Sequence, residues 1–253
     1  RRLLIEIAEQ LTKSTIDPSN VDIFIIPSEL YIAEAAQALA ELEKEGTLPK
    51  GFISLGAQNV SRRDKLGAFS GQHATASQLK ELGVRYVLIG HSEVRHGSNE
   101  DADDIRLQES NKLINSKVHT ILAAGLTPVL AFGEDADERK LGKEFEVVRT
   151  QITESLNGVT TEQMLSSGLV LAYEPVWAIG DKALRAASKE EAETMHRFIR
   201  MVIFELFGPQ VAATIRIQYG GSVKGENAAS FISQPNIDGG LIGGAAKKAS
   251  AFL

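Results

Sequence analysis

The chain has 253 residues, 43% hydrophobic and 24% charged, which is the composition of a folded globular protein and argues against disorder. Its formal charge of -6 and pI near 5.5 disfavour nucleic acid or an anionic membrane as the main partner. The absence of cysteine excludes disulfides, a thiolate nucleophile and a thiolate-bound metal, and fits a cytoplasmic location. No apolar run approaches the roughly 20 residues of a membrane span, and the opening residues do not read as a signal peptide.

Leu3, Leu4, Ile7, Ala8 and Leu11 recur at helical spacing, so the first element is expected to be a helix. Val21 to Ile26 is a β-branched run ended by Pro27, and helix Ala33 to Lys44 follows. Strand Phe52 to Gly56 leads into a long loop, Gln58 to Gln72, punctuated by Gly67 and Gly71. Helix Ala76 to Leu82 brings the chain to strand Tyr86 to Ile89 and to Gly-His-Ser-Glu-Val-Arg at Gly90 to Arg95. The acidic residues of Glu100 to Asp104 read as a solvated loop or helix start, not a metal site. Helix Leu107 to Ala124, strand Thr127 to Ala131, charged helix Lys143 to Leu156 and strand Leu169 to Tyr173 come next. Helix Lys189 to Phe207, with Ala192, Met195, Phe198, Ile199 and Val202 on one stripe, precedes strand Ile215 to Tyr219, helix Glu226 to Ile232 and a last strand, Gly240 to Ile242.

Strand and helix thus alternate without a break. The pattern predicts an α/β fold with a parallel sheet and right-handed crossovers, in a single domain over residues 1–253. The expected architecture is a (β/α)8 barrel lacking its first strand and most of its last helix in this sequence.

Parallel barrels host their chemistry at the C-terminal ends of the strands. The run Leu169 to Tyr173 ends there in a single carboxylate, Glu174, and Pro175 then withholds the next ladder hydrogen bond. Glu174 could merely cap a helix or pair with a lysine, but a Glu followed at once by Pro175, Val176 and Trp177 is poor material for either. It is read as a general base. His91, one residue past another strand, is a candidate acid or electrophile, against the alternative of a structural histidine. Gly220-Gly221-Ser222 and Gly243-Gly244 follow the last two strands. One glycine pair alone is more often a tight turn, but two at these exits suit backbone N–H contacts to a phosphate monoester.

These residues fall in segments that resemble the triosephosphate isomerase family: Tyr-Glu-Pro-Val-Trp-Ala-Ile-Gly at Tyr173 to Gly180, Gly-His-Ser-Glu at Gly90 to Glu93 and Tyr-Gly-Gly-Ser at Tyr219 to Ser222. Gly-Ala-Gln-Asn at Gly56 to Asn59, Thr-Pro-Val-Leu at Thr127 to Leu130 and Ile237 to Ala245 are similar too, and the segments run in family order over nearly the whole chain. The resemblance implies a TIM barrel that isomerises an aldose and a ketose phosphate without cofactor or metal. Glu174 would move a proton between adjacent carbons and His91, neutral, would polarise the carbonyl, an acid–base tuning known for this family. Glu93 would be a buried supporting group. Gly180, Ser222, Gly243 and Gly244 would grip the phosphate, the loop Val176 to Ser188 would close to exclude water, and the loop Gln58 to Gln72 would lock a homodimer.

The match is incomplete. The family's Asn-x-Lys strand has no counterpart in this sequence, and where the family usually reads Thr-Gly-Lys after Gly180, a longer Asp181-Lys182-Ala183-Leu184-Arg185 stands here. Val94 replaces a family arginine, Gln72 a glutamate, and His96 to Gln108 carries an insertion. Three readings remain open at this point: isomerisation of dihydroxyacetone phosphate and glyceraldehyde 3-phosphate, the same chemistry on a four-carbon ketose phosphate such as erythrulose phosphate, and an inert phosphate-binding relative.

Overall fold

The computed structural model describes residues 1–65, 73–96, 108–180, 183 and 185–252. The acidic stretch Glu100 to Asp104, the predicted helix start at Leu107, the loop end with Gly67, Gly71 and Gln72, and Asp181, Lys182 and Leu184 lie outside the described residues.

The described residues form seven strands: β1 (Ile23–Ile25), β2 (Ile53–Ala57), β3 (Val84–Ile89), β4 (Thr127–Phe132), β5 (Val170–Tyr173), β6 (Arg216–Tyr219) and β7 (Gly239–Gly240). They pair in sequence order and every pair is parallel, as the alternation predicts. Between and around them lie α1 (Arg2–Leu11), α2 (Ile32–Lys44), α3 (Ala76–Glu81), α4 (Ser92–His96), α5 (Asn111–Ala123), α6 (Ala136–Lys140), α7 (Glu144–Ser155), α8 (Thr161–Ser167), α9 (Lys189–Phe207), α10 (Pro209–Thr214), α11 (Gly225–Ile232) and α12 (Ala249–Phe252). Helix α5 starts later than Leu107 because Ser110 caps it, its Oγ accepting from Leu113 N at 3.3 Å.

Side chains alternate across each strand, and in β4 and β5 both faces are buried. Tyr86 and Leu88 of β3, Val129 and Ala131 of β4, and Val170 and Ala172 of β5 form one apolar cluster. The alternate residues, Val87 and Ile89, Leu130 and Phe132, Leu171 and Tyr173, with Ile217 and Tyr219, join the larger cluster that includes the helices. Phe24 and Ile26, from β1 and just beyond it, and Leu241, just after β7, pack against the first cluster, so the sheet curls until its two ends face one lumen. Phe24 stacks on Tyr86 there at 4.4 Å between ring centres. At the N-terminal rim Arg216 of β6 is ion-paired with Asp22 ahead of β1, and α1 packs on α12 outside.

The helices that cover the barrel are stripe-forming. Helix α9 buries Ala192, Met195, His196, Ile199, Val202 and Ile203, and each large apolar side chain so removed from water contributes about 1.5–3 kcal/mol. Phe198, expected on that stripe, is only partly buried and makes an edge contact with Phe145 of α7 at 4.8 Å between ring centres. His196 takes the inner place, between the rings of Tyr173 and Tyr219; its Nδ1 lies 3.2 Å from Asn236 O, and burial lowers its pKa to about 3.

Candidate active site

Register sets one rim level. Phe132, Tyr173, Tyr219 and Gly240 are successive partners across β4 to β7, so the residues that follow them leave the sheet together. Glu174 continues the parity of Val170 and Ala172, which turns its side chain to the lumen side. Its N–H donates to Phe132 O at 2.8 Å, the last rung before Pro175.

His91 arrives differently. Tyr86 and Leu88 are the lumen residues of β3, so strict alternation would point His91 outward. Gly90, at φ 71°, breaks the alternation, and a Cβ there would lie 2.6 Å from Ala131 O. Past this turn His91 Nε2 lies 3.1 Å from Glu174 Oε1. Nδ1 accepts from the backbone N–H of Glu93 at 3.3 Å, inside the first turn of α4. A ring nitrogen that accepts carries no proton, which assigns the hydrogen of a neutral imidazole to Nε2, facing the carboxylate.

Glu174 is 3% exposed, and its second oxygen accepts from Ser92 N at 3.0 Å. Burial raises its pKa; His91, the Ser92 N–H and Arg95 oppose the rise. Glycine surrounds it on both neighbouring strand exits. A Cβ at Gly133 would fall 1.7 Å from Glu174 O, and one at Gly220 2.9 Å from Glu174 Cγ.

Glu93 corrects an expectation. Its side chain is 78% exposed and its Oε2 stays 3.9 Å from His91 Nδ1, so it is not a buried group; only its main-chain N–H supports the imidazole. A carboxylate at the start of a short helix gains from staying in water next to the helix N-terminus.

Gly180, Ser222, Gly243 and Gly244 are all exposed residues following β5, β6 and β7. Ser222 Oγ donates to Ala178 O at 3.4 Å, which joins the β6 exit to the segment ending at Gly180. Gly243 precedes a 3-10 turn, Gly244–Lys247, and a Cβ on either glycine would meet no described atom within 4 Å.

Several residues of the site carry no signal strong enough to single them out in the sequence. Arg95 was visible only as the last letter of the His91 motif. It is 8% exposed, donating through Nε to Gly90 O at 2.8 Å, through Nη2 to Ala131 O at 3.1 Å and through Nη1 to Asn111 Oδ1 at 2.5 Å, and burial lowers its pKa to about 10. It staples the His91 turn to β4. Glu134, fully buried, accepts from Tyr173 Oη at 3.0 Å, Trp177 Nε1 at 2.8 Å and Arg139 Nη1 at 3.0 Å, and its pKa is raised by burial. Among the described residues no cluster of three or more His, Asp or Glu is placed to hold a metal ion.

A curled parallel α/β sheet with a buried carboxylate and an Nε2-protonated imidazole in contact at its C-terminal rim defines an enzyme of the barrel class, equipped to move protons. The family model described as triosephosphate isomerase matches residues 2–253. The chain is 42% identical over 229 residues to a triosephosphate isomerase of Protochlamydia amoebophila, covering 90% of this chain and 80% of that protein. It is 43% identical over 216 residues to one of Alkaliphilus metalliredigens, covering 85% and 80% respectively. For one of Carboxydothermus hydrogenoformans the identity is 40% over 243 residues, covering 96% and 87%. The chain belongs to the triosephosphate isomerase family.

Proposed function

We propose that this chain interconverts dihydroxyacetone phosphate and glyceraldehyde 3-phosphate, as a single barrel domain without a cofactor. The observation that carries the reading is the 3.1 Å contact between His91 Nε2 and Glu174 Oε1. At rest the carboxylate is held by His91 and Ser92 N. A substrate carbonyl oxygen that takes over the His91 Nε2–H frees Glu174 Oε1 to remove a proton from the neighbouring carbon. The C–H electron pair becomes the enediolate double bond, and the carbonyl pair moves onto oxygen, where the imidazole N–H stabilises it. Return of the proton to the other carbon, with proton exchange between the two oxygens through His91, completes the isomerisation and restores Glu174. Desolvation makes the carboxylate a stronger base than one in water, which suits a weak carbon acid.

The substrate's phosphate is assigned to main-chain N–H groups near Gly180, Ser222, Gly243 and Gly244, with closure of the segment 176–188 keeping water out. A spectrophotometric assay of glyceraldehyde 3-phosphate formation from dihydroxyacetone phosphate tests the reading. Phosphoglycolate binding without turnover by intact protein would refute it.

The proposed assembly is a homodimer in the cytoplasm. Leu30 is 89% and Tyr31 57% exposed on the turn after β1, and Glu29 of that turn pairs with His73 at the end of the loop Gln58 to Gln72 at 2.9 Å. Two large apolar side chains held beside a long loop suit burial against a second copy. Among the described residues no helix is long and apolar enough to cross a membrane.

A further inference from the structure

Trp177 is the only tryptophan of the chain, and two arginines and two carboxylates enclose it. Its Nε1 donates to Glu134, and the guanidinium carbons of Arg139 and Arg185 lie 4.2 and 4.9 Å from the ring centre. Glu191 ties the two cations together. Its Oε1 accepts from Arg185 Nη2 at 2.6 Å and Arg139 Nη2 at 3.1 Å; its Oε2 accepts from Arg185 Nη1 at 2.7 Å and from Ser188 N at 2.9 Å. The paired guanidinium–carboxylate contact is the strong, geometrically demanding kind, and Glu191 is anchored further because it completes the N-terminal capping box of α9.

The position of this cluster gives it a consequence for the reaction. Trp177 stands three residues after Glu174, connected through Pro175, whose ring fixes its own φ. Arg185 lies where this chain departs from the family's usual Thr-Gly-Lys, and it reaches back from the far end of the segment 176–188 to the indole at its near end. Both Glu174 oxygens are occupied by His91 and Ser92 N in this arrangement. The carboxylate must leave at least one of them to act as a base, and a shift of its main chain toward bound substrate would carry Trp177, three residues on, away from the guanidinium groups.

We propose that Arg185 is a positioning residue that latches Trp177 to Glu191 and so holds Trp177, with Glu174, in its resting posture. The inference rests on the isomerase reading above. A contact made only at rest subtracts from the apparent affinity for any ligand that needs the other posture.

The test uses the full chain with Arg185→Met, which keeps much of the side chain's length, and Glu191→Gln, which keeps the α9 cap. Phosphoglycolate affinity is read from Trp177 fluorescence, KM from turnover and folding from the far-UV circular dichroism melt. Removing a partly exposed ion pair that opposes binding should lower both Kd and KM, by about two- to fivefold, with an altered Trp177 emission before ligand is added. Damage to the fold would raise both constants, and a merely ornamental pair would move neither; either result in the two variants overturns the latch. Wild-type protein that binds phosphoglycolate but does not turn over would overturn the isomerase reading, while the change in Kd would still decide the latch.

Discussion

His91 Nε2 and Glu174 Oε1 are 3.1 Å apart although the strands that deliver them, β3 and β5, are separated by β4. Curvature of the sheet, the left-handed turn at Gly90 and the absence of a side chain at Gly133 make that approach possible. The result is a carboxylate whose resting partner is the N–H group it would share with a substrate carbonyl.

The first consequence is a pH dependence. The base must be ionised to act, and burial makes Glu174 protonate at a higher pH than an ordinary carboxylate. On acidification kcat/KM is therefore expected to fall on a limb whose midpoint lies above the value of about 4.3 typical of a free glutamate, with activity complete on the alkaline side of that limb. The pH profile of kcat/KM checks this, and a limb centred at or below the free value would contradict it.

Gly220→Ala tests the packing around the base. The new methyl would sit 2.9 Å from Glu174 Cγ and 3.2 Å from Tyr173 O, so the carboxylate must move. Displacements on the order of 1 Å at a reacting group cost about 100-fold, and kcat should drop by about that factor in a variant that still melts cooperatively. Wild-type kcat in Gly220→Ala would show that Glu174 is not positioned by this contact.

Much of this was legible in the sequence, because a period of two in a strand and a period near four in a helix survive as apolar runs. The parallel order of all seven strands followed from the alternation of those runs, and Glu174 and His91 stood out by lying just past two of them. Where side chains carry no pattern the reading failed. Strand β7 is two glycines, Gly239–Gly240, and begins one residue before the expected Gly240 to Ile242. Strand β3 begins at Val84, ahead of the run Tyr86 to Ile89, because exposed Arg85 separates Val84 from the rest of the apolar pattern. Helices α4, α6, α8 and α10 are five to seven residues long, too short to show a stripe. Glu93 is exposed where the family resemblance implies burial, and the group that serves His91 is its backbone N–H, which every non-proline residue possesses. Arg95 escaped because its partners, Gly90 O and Ala131 O, are main-chain atoms distant in sequence or hidden in a turn.

Arg95→Met should destabilise the protein strongly. The substitution removes the donors to two buried carbonyls and to Asn111 Oδ1 and leaves them unpaired, at about 1–3 kcal/mol per group. A lower urea midpoint with unchanged m-value, equivalent to about 3 kcal/mol or more, is the expected outcome; a shift under 1 kcal/mol would mean that water or neighbouring residues replace the guanidinium.

Leu30→Asp addresses assembly. If Leu30 and Tyr31 are covered by a second copy, a carboxylate there must be buried or the dimer must part. Sedimentation at micromolar protein should report a dimer for the natural chain and a monomer for the variant. Identical sedimentation of the two would place the interface elsewhere.

The most direct measurement is solvent exchange followed by proton NMR on dihydroxyacetone phosphate in D2O. Proton abstraction by Glu174 predicts that the natural chain incorporates deuterium at the carbon bonded to the hydroxyl group, and that Glu174→Gln, which keeps the shape and removes the base, loses this by several orders of magnitude. Equal incorporation by the two proteins would contradict the assignment of Glu174 as the base.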